Sequence, residues 1–93
     1  MKYYTFLNES IENNSIKNIV KKSILDACQQ RTIIEAKIVL GRGYQKSITL
    51  LALKVPNNED IKYLNILEHA YLTIGKYPNS WKNYLETILK DIS

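Results

Sequence analysis

The chain predicts a small all-α bundle, because its apolar residues recur at three- and four-residue steps over most of its 93 positions. Ile16, Ile19, Val20, Ile24, Ala27 and Cys28 form one such stripe, and Ile61, Leu64, Leu67, Ala70, Tyr71 and Ile74 form another. A third, Trp81, Tyr84, Leu85, Ile88 and Leu89, follows a turn. Strong helix formers in the middle, Leu50, Leu51, Ala52, Leu53 and Lys54, point the same way. The length suits one domain over residues 1–93.

Taken in order, residues 2–8 carry aromatic and β-branched types, which fit a short strand or an ordered arm equally well. Asn8 or Ser10 is expected to cap a helix over residues 9–29 that covers the core, with Lys17, Lys21, Lys22 and Asp26 facing water. Residues 31–55 support two readings. In the preferred one, helices lie on either side of Gly41 and Gly43, which break them, and Ser47, Ile48, Leu51, Ala52 and Val55 keep helical spacing in the second. In the alternative the fold is α+β, with a β-hairpin at 31–55 packed under helices, because Ile34, Ala36, Ile38 and Leu40 alternate. Pro56, Asn57 and Asn58 stop either element. Asn58 is a cap candidate, and Glu59 and Asp60 suit a helix N-terminus. Gly75 is expected to end that helix, and Ser80 to cap the last one, with Lys90 near its C-terminal dipole.

Within residues 59–91, Leu67, Ala70, Tyr71, Gly75, Tyr77, Tyr84 and Ile88 occupy spacings that resemble a tetratricopeptide repeat. The resemblance covers about a third of the chain and implies a repeat-like helical hairpin in a protein-binding module. On that reading Ala70 admits a neighbouring helix, Gly75 takes a left-handed turn, and Tyr77 and Tyr84 wedge between helices. The sequence departs from the family at Glu68, Ser80 and Thr87 and in its short Pro56 loop.

Composition narrows the function classes. Apolar residues at 45% and charged ones at 24% match globular proteins, and runs such as Ile38-Val39-Leu40 fall far short of the roughly 20 residues of a membrane span. With no signal-like apolar stretch after Met1, Lys2 and Tyr3, a cytoplasmic location is expected. His69 has no sequence companion for a metal site or triad, Cys28 reads as a small buried hydrophobe, and Glu35 and Glu68 as solvated carboxylates. Gly41-Arg42-Gly43 lacks the further glycines and the Lys-Ser/Thr ending of a phosphate loop. Neither a catalytic role nor a cofactor or metal is expected.

The net charge of +4 comes from eleven lysines and two arginines, a balance that suits solvated helices as well as it suits nucleic acid. The leading expectation is therefore a non-enzymatic protein-binding module: an adaptor, a chaperone or a small inhibitor or immunity-type protein. Its C-terminal helical surface would offer Tyr63 and Tyr77 among Lys62, Lys76 and Lys82 to another protein or peptide, an acidic one by charge. The alternative is a basic nucleic-acid-binding regulator using Arg31, Arg42, Tyr44 and Lys46, with the Lys17, Lys21, Lys22 face.

Overall fold

A computed structural model describes residues 15–53 and 55–92, and every regular element among them is helical. Helix α1 spans Ile16–Cys28, α2 Ile33–Leu51 and α3 Asn58–Thr73, which continues into a 3-10 turn at Ile74–Lys76; α4 spans Trp81–Ile92. The all-α expectation holds, and the β-hairpin alternative for residues 31–55 gives way to α2. Residues 2–8 and the caps expected at Asn8 and Ser10 lie outside the described residues.

Local chemistry sets the helix starts. Ser15 is extended and its hydroxyl accepts from the Asn18 amide at 3.3 Å. Thr32 accepts from the Glu35 amide at 3.1 Å and donates its hydroxyl to the Glu35 carboxylate at 3.1 Å. The cap of α3 is Asn57, one residue before the expected Asn58. Its side chain accepts from the Asp60 amide at 2.8 Å, while the Asp60 carboxylate accepts from the Asn57 amide at 3.3 Å. This reciprocal pair satisfies two amides at once, and a cap of this kind stabilises a helix by about 1 kcal/mol. At α4 the Ser80 carbonyl accepts the first helical bond, from Tyr84 at 3.0 Å.

Two expectations about glycine are overturned. Gly41 and Gly43 do not break a helix, because α2 runs through both without interruption. Gly75 does not take a left-handed conformation, since no described glycine has positive φ, and it sits within the 3-10 turn. The physical role of Gly43 is close approach instead. A Cβ built there would collide with the Ser23 hydroxyl and stand 2.6 Å from the Ser23 Cβ. Helices α1 and α2 thus meet along small residues, Ser23 and Ala27 facing the stripe of Ala36, Gly43 and Ser47. Both serines are buried, and each donates to a carbonyl of its own helix, Ser23 to Ile19 at 2.6 Å and Ser47 to Gly43 at 2.9 Å. Neither hydroxyl needs a partner across the seam.

Helix α1 is central rather than covering, because it packs against α2, α3 and α4 alike. Ile16, Val20, Ile24 and Ala27 are fully buried on it. Around them stand Ala36 and Leu40 of α2, Tyr63, Leu67 and Ala70 of α3, Ile74 of the turn, and Trp81, Leu85 and Ile92 of α4. By transfer free energy each fully buried Ile, Leu or Val side chain here contributes roughly 1.5 to 3 kcal/mol, and each alanine methyl about 1 kcal/mol or less. The backbones of α3 and α4 scarcely approach each other. Ile66, His69, Ile88 and Ile92 line the gap between them, a cavity of about 350 Å³.

The three glycines should therefore respond differently to alanine. Gly43→Ala is expected to lower stability by about 1 to 3 kcal/mol through overpacking. Gly41→Ala, whose Cβ would lie 3.4 Å from the Tyr71 ring, and Gly75→Ala, whose Cβ would meet nothing within 4 Å, should be neutral or stabilising by up to about 1 kcal/mol. Urea unfolding midpoints rank the three; equal shifts would show that the α1–α2 approach is not limiting.

Candidate interaction surfaces

The C-terminal residues expected to bind a partner do not form one surface. Tyr63 is only 8% exposed; it belongs to the core, with the Lys17 ammonium 5.9 Å above its ring. Lys62 is exposed near the start of α3, whereas Lys76 lies past its end, fourteen residues and thus roughly 20 Å further along. Tyr77 is 42% exposed and stacks on Tyr84 with ring centroids 5.0 Å apart. The Lys82 ammonium sits 5.4 Å from the Trp81 ring, and Lys37 likewise covers Tyr71 at 5.1 Å. These lysines shield aromatic rings at the edge of the core, a contact of about 0.5 to 1 kcal/mol where exposed.

The basic set expected for nucleic acid is divided too, but part of it converges. Lys22 of α1 and Arg42 and Lys46 of α2 line an open cleft of about 660 Å³ between the two helices. Val39 and Gly43 lie in the same cleft. Lys17 and Lys21 do not line the cleft, Arg31 is exposed in the α1–α2 turn, and Tyr44 borders a different cavity. The charge is uneven along the fold. Residues 15–53 carry seven lysines and arginines against two acids, while residues 55–92 carry four against five.

An apolar ridge escaped the sequence reading. Ile34 is 70% exposed and Ile38 50% exposed, on successive turns of α2 and away from its buried Ala36, Leu40, Gly43 and Ser47. Further along α2, Gly41 and Tyr44 meet Tyr71 and the 63% exposed Leu72 of α3 around a cavity of about 320 Å³. The signal that locates the ridge is the stripe of small residues. With Ala36, Gly43 and Ser47 turned inward, helical geometry turns Ile34 and Ile38 outward.

Reactive groups are quiet. Burial pushes the half-buried Cys28 thiol above its ordinary value, Glu86 raises it further, and Lys82 offsets this only in part. Burial likewise raises the Tyr84 phenol, against a smaller opposite pull from the Thr73 hydroxyl and a further rise from Tyr77. The Tyr84 hydroxyl has no partner at hydrogen-bonding geometry among the described residues. His69 Nε2 lies 3.4 Å from the Thr73 hydroxyl. Among the described residues no three His, Cys, Asp or Glu side chains are grouped to hold a metal ion, and no helix is long and apolar enough to cross a membrane.

A raised thiol remains protonated, and therefore slow, through neutral pH. Alkylation of Cys28 by iodoacetamide should reach half its limiting rate at a higher pH than the value found for a free thiol under the same conditions. A midpoint below that value would mean that Lys82 outweighs burial. No family, curated protein or solved structure matches this chain.

Proposed function

We propose that the protein is a non-enzymatic binding module that captures an amphipathic helical segment of another protein on the ridge shared by α2 and α3. The observation that carries the reading is the exposure of Ile34, Ile38 and Leu72 beside the Gly41–Tyr71 cavity. Single exposed aliphatics need no explanation, but isoleucines on successive turns beside a recess form the kind of apolar strip into which a helix docks. Lys37, Glu35 and Glu68 stand beside the strip and its cavity with both signs of charge, so the segment that fits is selected by its apolar face. The repeat-like spacings of residues 59–91 add nothing to this, because α3 and α4 do not pack backbone against backbone as a repeat's paired helices do; the ridge alone supports a role in holding other proteins. Adaptor, chaperone and inhibitor all remain forms of that role.

The Lys76, Tyr77 and Lys82 end is the weaker docking place, since Tyr77 is stacked on Tyr84 and Lys82 lies over Trp81. Photo-crosslinking compares the two ends directly. A benzophenone side chain at position 38 should give adducts with a different polypeptide, and one at position 82 should not. The double variant Ile34→Ser, Ile38→Ser should abolish capture while changing stability by no more than about 0.5 kcal/mol, as expected for surface positions. Adducts only at position 82, or only with a second copy of this chain, would overturn the reading.

A further inference from the structure

We infer that the cleft between α1 and α2 is a second binding site, independent of the ridge, which holds the phosphate backbone of a single-stranded nucleic acid without reading its bases. Cations stand on both walls, Lys22 on α1 and Arg42 and Lys46 one turn apart on α2. None of the three makes an ion pair or a side-chain hydrogen bond among the described residues. Three unpaired cations that share one recess repel each other, and an anion lying between them removes that repulsion. Among the described residues Asp26 is the only carboxylate lining the cleft, and they leave a local excess of two positive charges.

Shape and side-chain type select the ligand. The recess is an open trough between two closely packed helices, with cations on both walls that one extended strand can touch at once. Gln29 and Gln30 add carboxamides toward the α1–α2 turn, where Arg31 is exposed. Among the described residues no aromatic side chain lines the cleft, so they offer no stacking platform for bases. The concentration of positive charge in residues 15–53 adds a field that draws a polyanion to this side of the molecule.

Fluorescence anisotropy of a labelled 20-nucleotide mixed-sequence strand, with the full chain, tests the inference. Three phosphate contacts predict a slope of log affinity against log salt of about −2, or roughly 20-fold weaker binding at 200 mM than at 50 mM salt. The triple variant Lys22→Gln, Arg42→Gln, Lys46→Gln should lose binding with helicity unchanged. A variant of equal charge change, Lys62→Gln, Lys76→Gln, Lys90→Gln, should bind within about twofold of the parent, because it lies outside the cleft. Ile38→Ser should also bind normally, which keeps failure here distinct from failure of the ridge. Absence of strand binding at 50 mM salt, or equal weakening in both lysine-poor variants, would overturn the site. So would inorganic phosphate competing as well, per phosphate, as the strand.

Discussion

The approach of α1 to α2 at Gly43 is the constraint on which the other contacts rest. Where a side chain would ordinarily separate two helices, Gly43 has none, and the Cβ and hydroxyl of Ser23 occupy that space. Polar atoms at such a seam are costly unless satisfied. Both serines are satisfied locally, by carbonyls one turn back on their own helices. The helices therefore come together without depending on a cross-helix hydrogen bond, and the contact is one of shape. With α2 against one side of it, α1 has its remaining sides free to bury α3 and α4.

That arrangement explains the surface as well as the core. Apart from Leu40, helix α2 spends its inward face on small residues, and part of its aliphatic complement, Ile34 and Ile38, is turned outward. Its cleft-side margin carries Arg42 and Lys46 beside Lys22 of α1. One helix consequently separates an apolar strip from a basic trough. The two surfaces differ in the physics they offer, dispersion and desolvation on one side and screened Coulomb attraction on the other.

The aromatic residues have a different task from the one their abundance suggests. Tyr63 and Trp81 are buried, Tyr71 and Tyr84 are partly buried, and three lysines lie over rings of this group. In a chain this small, large rings are an economical way to fill a core, and the lysine stems cover what the rings leave exposed. The Tyr84 hydroxyl is buried at the junction of α3 and α4 without a well-placed partner among the described residues. The two helices are held there by rings and by α1 rather than by each other's backbones.

Periodicity by itself determined the helical class, the stripes of α1 and α4, and the turns around Pro56 and before Trp81, because spacing and capping chemistry act within a few residues of one another. It misread α3. Apolar residues occur on several of that helix's faces, so the register of Asp60, Tyr63, Leu67, Ala70 and Ile74 was chosen over one containing Ile61 by the surface of α1 it packs against. The glycine pair shows the same division. Locally a glycine weakens a helix, and only the presence of Ser23 on another helix turns Gly43 into a contact. The exposed apolar strip and the basic cleft were the least legible of all, since exposure depends on which face the neighbours cover. Lys22, Arg42 and Lys46 meet, and Lys62 and Lys76 part, because tertiary packing decides distance while sequence decides only residue type.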